Sequence, residues 1–280
     1  MKNLILIIII GSFVNYGFPQ QITCSPADRQ AVEQKIEEIQ GLETNDFGKT
    51  LVAVGKTFLG TPYVAKTLEI GDKETLVVNL QGLDCTTFVE NVLAFGLMLT
   101  HDQHTFTDFI KILETIRYKN GMLDGYGSRL HYFSEWISNN EEKGLLKNIT
   151  GAIGGIEIKK AIDFMGTHRD LYPFLADDGN YQKIVATEAV LNGRSFCYLP
   201  QDQIEVNEHL IKSGDIIALA TSINGLDVTH TGIASREQDG RIHLLHASTG
   251  SMEVEVSDLP LAEYLKGIKK NIGILVARPL

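Results

Sequence analysis

"GLDCTTFVENVLAF", residues 82–95, sets a cysteine directly before an apolar run with helical spacing. Asp84 is a good N-cap, and Thr86, Thr87 and Glu90 suit a first turn, so the pattern predicts a helix from Cys85 to about Leu99. The sulfur then stands beside unpaired backbone N–H groups at the positive end of the helix dipole. That setting favours a thiolate, and the same N–H groups can hold an oxyanion. Asp84 acts against the thiolate unless its carboxylate faces a backbone donor or a substrate amine. Most cysteines are unreactive core residues. The helix start alone therefore leaves nucleophile and inert core cysteine both open.

A nucleophilic thiol needs a base, and the base needs an orienting partner. "DVTHTGIA" and "HLLHAS" supply strand histidines. His230 shares a strand face with Gly232 and Ala234, small residues that leave room for another element's backbone, such as a packed helix. Thr229, Thr231 and Ile233 face the other way. His243 and His246 have opposite parity, so without a bulge one of them faces the His230 side, and parity does not say which.

Outward from these motifs the chain divides in two. "SPADRQAVEQKIEEIQGLE", "DFGKTLVAVGKTFLG", "TFTDFIKILETIRY", "RLHYFSEWISNNEEKG" and "GNYQKIVATEAVLNG" read as helices, with "ETLVVNLQG" as a short strand among them. From Lys212, "SGDIIALAT", "GLDVTHTGIAS", "RIHLLHAS", "MEVEVSDL" and "IGILVARPL" are short β runs divided by turn residues, interrupted by a helix in "LPLAEYLKG". Helices followed by an antiparallel sheet make an α+β class. Residues 122–208 exceed what such a core requires. No linker-like stretch flanks them, so they read as an elaboration within one domain spanning 21–280.

With 280 residues, a net charge of −10 and no Lys/Arg cluster, nucleic-acid or anionic-membrane binding is not expected. Lys2 ahead of the apolar block Leu4–Ile10, followed by small and then polar residues, reads as a secretory signal peptide over about residues 1–20. It is too short for a stable anchor. The expected localisation is exported, periplasmic or extracellular. Cys24 lacks the aliphatic and small residues that normally precede a lipidated cysteine. Cys197, between Phe196 and Tyr198, reads as core, and a disulfide from it to Cys85 stays open in an oxidising compartment.

"LGTPYV", "LDCTTFV", "SGDIIAL", "DVTHTGIA" and "HLLHAS", in this order, resemble the NlpC-type papain-like cysteine peptidases and amidases of bacterial cell walls. The resemblance covers about residues 58–100 and 212–248. It implies a papain-like fold with the nucleophile helix packed on the C-terminal sheet, Cys85 as nucleophile, His230 as base, His246 rather than His243 as the ring-orienting third member, and Tyr63 near the oxyanion site. No metal or organic cofactor is implied. The sequence departs from the family where Thr86 and Thr87 replace a small residue and glycine, where "VAKTLEIGDKETL" replaces an aromatic-Gly-Gly, and in the long span from Cys85 to His230.

"GYGSRLHYFSEWI", taken with the core motifs, resembles the N-acetylmuramoyl-L-alanine amidase branch associated with anhydromuramyl peptides. That implies peptidoglycan fragments, sugar plus stem peptide, as partners, and a role such as muropeptide recycling. Arg129 offers fixed donors for carboxylate or sugar oxygens, and Tyr132 and Trp136 offer stacking faces. His131 and Tyr132 are expected at an accessible helix start, whereas Leu130, Phe133 and Trp136 also form a core stripe. Asp84, Thr86, Arg129, His131 and Tyr132 are thus the expected substrate contacts, with "MGTHRDLYPF" as a further sugar-contacting loop. Three alternatives remain: an endopeptidase cutting between D-glutamate and the diamino acid, a non-catalytic muropeptide-binding module, and a zinc hydrolase using Cys85, His230 and His246. The zinc reading lacks a close-spaced ligand pair.

Overall fold

Side-chain caps start the N-terminal helices. In the computed structural model, which describes residues 22–280, strand β1 (Ile22–Cys24) leads into helix α1 (Pro26–Glu38), capped by Ser25, and α2 (Phe47–Lys56), capped by Asp46. Strand β2 (Leu76–Val78) pairs in parallel with β1. Helix α3 (Cys85–Thr100) follows, then α4 (Phe106–Arg117), where Thr105 and Asp108 form a capping box. The expected signal peptide lies outside the described residues.

The elaboration supplies α5 (Phe133–Glu142), β3 (Leu146–Asn148), β4 (Ile156–Ile158), the short α6 (Phe164–Thr167), α7 (Asp178–Asn192), β5 (Phe196–Pro200) and the short α8 (Ile204–Asn207). The C-terminal part adds β6 (Ile216–Thr221), β7 (Val228–Arg236), β8 (Ile242–Ala247), β9 (Val254–Val256), α9 (Leu261–Lys266) and β10 (Asn271–Pro279). These strands form one antiparallel sheet in the order β4-β5-β10-β6-β7-β8-β9, with β3 also on β10. The expected α+β class with an antiparallel sheet is what the chain adopts. The sequence reading missed β3, β4 and β5, short strands that extend the sheet from inside the elaboration.

Both faces of the sheet are covered, which is why its strands read as nearly continuous apolar runs. Ile216, Ala218, Ala220, Ile233, Leu245, Ala247, Leu275 and Ala277 share a core with α1 to α4. Ile217, Leu219, Ala234, Leu244, Ile274 and Val276 pack on the opposite side with Leu261 and Leu265 of α9. A third cluster, including Tyr126, Tyr132, Met165, Phe174, Leu175 and Ile184, holds the elaboration together. Its contents place one wall of the site described next.

Candidate active site

Asp84 closes the start of α3. Its Oδ1 accepts from the Thr87 N–H at 2.8 Å, and the Thr87 hydroxyl accepts from the Asp84 N–H at 2.9 Å. Thr87 is therefore spent on a reciprocal cap, and the amides of Cys85 and Thr86 are left as the uncapped donors of the first turn. Glu90 is not part of this turn. It is buried and paired with Arg117 Nε at 2.7 Å, while the Trp136 indole N–H donates to its other oxygen.

Cys85 and Thr86 line a cavity of about 150 Å³ with Thr229, His230 and Thr231 of β7 and with Asp227 before it. Leu130, His131, Tyr132, Phe133, Met165 and Tyr172 form the opposing wall, all from the elaboration. Burial, followed by the Asp84 charge, pushes the Cys85 thiol up to about 11, while Thr231 and Thr86 lie close enough to offset part of that rise. The Thr231 hydroxyl is buried and has no other partner. The α3 amides act in the same lowering direction as these threonines. Tyr63 is half-buried near the same group: burial, then the neighbouring Cys85 and Asp84, raises its phenol.

A bulge precedes the β7 histidine. Leu219 pairs with His230 and the next residue, Ala220, with Val228, so Thr229 is the extra residue that bends the strand at the cavity. His230 Nε2 and His246 Nδ1 are 2.6 Å apart, with the rings nearly perpendicular. This bond leaves Nδ1 of His230 as its second nitrogen. Burial alone holds His230 down at about 4, and burial with the His230 neighbour holds His246 down at about 3. Both rings are thus neutral in this state. His243, the other histidine left open by parity, instead joins Ser257 O and Asp239 Oδ2.

Gly232 shares the His230 face, as expected, but the element it admits is different. A Cβ there would meet His246 Cβ at 2.9 Å and the Leu245 carbonyl at 2.9 Å. The glycine makes room for β8, not for a helix, and so allows the two histidines to approach.

The expected substrate contacts separate. His131 and Tyr132 line the cavity, but α5 begins only at Phe133, so neither is on the helix. His131 Nε2 donates to the Tyr126 carbonyl at 2.9 Å, and burial, then Arg129, holds this ring well below the usual histidine range. The Tyr132 hydroxyl donates to Glu188 and accepts from the Met165 N–H. Its ring is buried and not an open stacking face. Arg129 departs from expectation: it is buried between Glu69 at 3.1 Å and Glu74 at 3.3 Å and is not on the cavity wall. Its fork tells of an internal lock between the 64–75 loop and the elaboration. Trp136 is core, stacked on Phe133. From "MGTHRDLYPF", Met165 and Tyr172 reach the cavity, whereas Arg169 bonds Leu175, Ala176 and Asp178.

Two groups were not foreseen. Asp227, buried at the cavity, accepts from the Ser134 N–H at 2.7 Å and from its neighbour Val228 N–H. It caps α5 from another element, because the N-cap position, Tyr132, makes no side-chain cap. Glu255, opposite His246 on β9, is the second. Cys24, Cys85 and Cys197 are all free thiols, and Cys197 is only half-buried, beside a second cavity, rather than a core residue. Among the described residues no group of three or more His, Cys, Asp or Glu is arranged to hold a metal. Nor is any helix among them long and apolar enough to cross a membrane.

A family model described as AmiA-like, N-acetylmuramoyl-L-alanine amidase-like, matches residues 53–274. The chain belongs to that family. An N-acetylmuramoyl-L-alanine amidase from Bacteroides uniformis, solved by crystallography, is 40% identical, with 84% of this chain and 99% of that one covered at a TM-score of 0.79. A Bacteroides fragilis structure carrying a provisional xylanase name is 43% identical over 80% of this chain and 98% of that one, at a TM-score of 0.75. A Legionella pneumophila protein at 22% identity and a TM-score of 0.67, covering 90% of this chain and 95% of that one, shares the fold. No curated protein matches.

Proposed function

We propose that this member of the AmiA-like family is a papain-like, NlpC-type cysteine amidase that hydrolyses the amide between the lactyl group of (anhydro)N-acetylmuramic acid and L-alanine in peptidoglycan fragments. The observation that carries the reading is one cavity lined by both Cys85, at the first position of α3, and His230, with His246 hydrogen-bonded to His230 from behind and a wall from the elaboration closing the other side. The amidase relative supports the scissile bond. The leading segment, residues 1–20, supports export, with the periplasm as the working compartment.

The chemistry follows from the groups present. The Cys85 thiol gives its proton to His230 Nδ1, and the sulfur forms a bond to the lactyl carbonyl carbon. The oxyanion takes the uncapped N–H groups of Cys85 and Thr86, with Tyr63 at hand. His230 returns the proton to the L-alanine nitrogen as the C–N bond breaks, leaving a thioester. Water, losing a proton to His230, then releases the lactyl carboxylate and restores the thiol. Neutral imidazoles suit this sequence, because the base must begin with a free lone pair. His246 holds the ring through Nε2.

The provisional xylanase name points to another chemistry, which requires two carboxyl groups flanking the bond. The cavity wall holds one, Asp227, and both of its oxygens already accept backbone bonds. Incubation with defined muropeptides, including anhydromuramyl forms, tests the reading by product mass. An intact stem peptide plus free sugar is expected. A stem split between D-glutamate and the diamino acid would reassign the enzyme as an endopeptidase, no product with retained binding would make it a muropeptide-binding module, and turnover by Cys85→Ala would remove the nucleophile.

A further inference from the structure

The Cys85 base must present a lone pair to the thiol, and a histidine has two ring nitrogens that can carry its proton. The structure contains a device that decides which. His246 is fully buried, and its Nε2 has no hydrogen-bond partner. The carboxylate of Glu255 faces it, with Oε1 3.7 Å from that nitrogen. The contact is fixed by register, because His246 and Glu255 are directly paired across β8 and β9. Glu255 is one-third exposed, so its carboxylate meets solvent on one side and the buried ring on the other. The remaining face of the ring is covered by Tyr264 of α9, edge-on at 5.5 Å.

We propose that Glu255 is a positioning residue that sets the tautomers of both histidines, and through them the basic nitrogen that serves Cys85. This rests on the proposed cysteine mechanism. A carboxylate facing Nε2 favours the proton on that nitrogen, since it can only accept. His246 then carries Nε2–H, and its Nδ1 is an acceptor. The 2.6 Å contact to His230 therefore has His230 Nε2–H as donor. That leaves the His230 proton on Nε2 and a free lone pair on Nδ1, the nitrogen available to take the thiol proton. Reversing the first proton reverses the rest: His246 with Nδ1–H would donate to His230 Nε2 and force the His230 proton onto Nδ1. The thiol would then face a donor. The separation of 3.7 Å is longer than a hydrogen bond, so the bias acts as charge on a dipole, closing to a bond when the partly exposed Glu255 swings inward.

The test uses the full mature chain, uniformly labelled with nitrogen-15, in wild type, Glu255→Leu and Glu255→Gln. Ring nitrogen spectra at neutral pH read tautomers directly, whatever the substrate. Wild type is expected to show protonated Nε2 on both rings. Glu255→Leu is expected to lose that bias, with Nδ1-protonated rings populated. Glu255→Gln, whose amide can offer either an oxygen or an N–H, is expected to fall between. In parallel, iodoacetamide labelling of Cys85 should slow in the order wild type, Gln, Leu, and hydrolysis should lose kcat more than KM. The loss in Leu is expected to be on the order of 10²-fold, short of the roughly 10⁴-fold cost of a wrongly protonated base held by its primary partner. Unchanged ring tautomers in a folded Glu255→Leu, or Nδ1–H on His230 in wild type, would overturn the assignment. A wild-type chain with the expected tautomers and no muropeptide turnover would sink the amidase reading while supporting the role of Glu255.

Discussion

Asp227 Oδ2 accepts the Ser134 backbone N–H at 2.7 Å, so the residue that opens the histidine strand also caps the first helix of the elaboration. The core and the added wall of the cavity are tied at one carboxylate. Because α5 has no side-chain cap of its own, removing this one exposes an unpaired helix N-terminus to a buried site. Asp227→Ala is expected to cost about 1–2 kcal/mol in urea unfolding, and Asp227→Asn less, since the amide oxygen still accepts. The alanine change should also weaken muropeptide binding, measured calorimetrically, because Leu130 to Phe133 shift with the helix. Identical stability in the alanine variant would show that Ser134 finds another acceptor.

Much of this arrangement is legible in the sequence, and the part that is not has a common cause. The caps of α1 and α3, the limits of α3 and the five C-terminal strands follow from local chemistry that the chain carries at each position. The start of α5 does not, because Asp227 supplies its cap from almost a hundred residues away, and the Arg129 stretch stays extended before it. Arg129 and Glu90 look like surface charges one-dimensionally, and only the fold brings Glu74 and Arg117 to them. Glu255 is written in an alternating strand, but its meaning lies in the cross-strand register. The glycine at 232 was legible as a close approach, though not as an approach by β8.

The Arg129 lock yields a stability prediction. Its guanidinium is nearly buried between Glu69 and Glu74, and the Tyr126 and Tyr118 hydroxyls donate to the same carboxylates. Burial already raises the Glu74 carboxyl against the pull of Arg129. Arg129→Met removes the counter-charge and leaves two carboxyl groups facing each other, so a loss of about 3–5 kcal/mol is expected. The loss should shrink in the triple change that also replaces Glu69 and Glu74 by Gln. Chemical denaturation of the two variants at neutral pH decides it: equal losses would mean that the lock is held by packing alone.

Acid should loosen the fold through the histidine pair. An unfolded chain protonates both rings near the ordinary value of 6.5, whereas the native rings resist to about 4 and 3. Between those values the unfolded state binds more protons, so stability falls as pH drops from about 6.5 and the loss levels off below the native values. Glu237 and Asp239, held down by hydrogen bonds and neighbouring charges, add to the loss only at lower pH. A His230→Gln/His246→Gln chain should therefore lose less stability between pH 7 and 4.5 than wild type. The difference is expected to be on the order of 5 kcal/mol, because each of the two native rings stays neutral over about two pH units in which its unfolded counterpart is protonated. Parallel pH profiles of the urea midpoints would contradict neutral, buried imidazoles.

Gly232 offers the sharpest separation of geometry from chemistry. Alanine there adds one methyl group and no charge, yet that methyl would stand 2.9 Å from His246 Cβ, 2.8 Å from a Leu244 methyl and 2.9 Å from the Leu245 carbonyl oxygen. Leu244 can turn aside; the β8 backbone cannot, because β7 and β8 are hydrogen-bonded from Ile233 to Arg236. The strain is expected to cost about 1–3 kcal/mol. It should be relieved by moving His246 away from His230, breaking the 2.6 Å contact on which the proposed base depends. Gly232→Ala should therefore lose most of its kcat while Cys85, Thr86 and the elaboration keep their places, so that KM changes little. A folded variant with full kcat would mean that the glycine serves sheet packing only, and that the histidine contact tolerates a displaced β8.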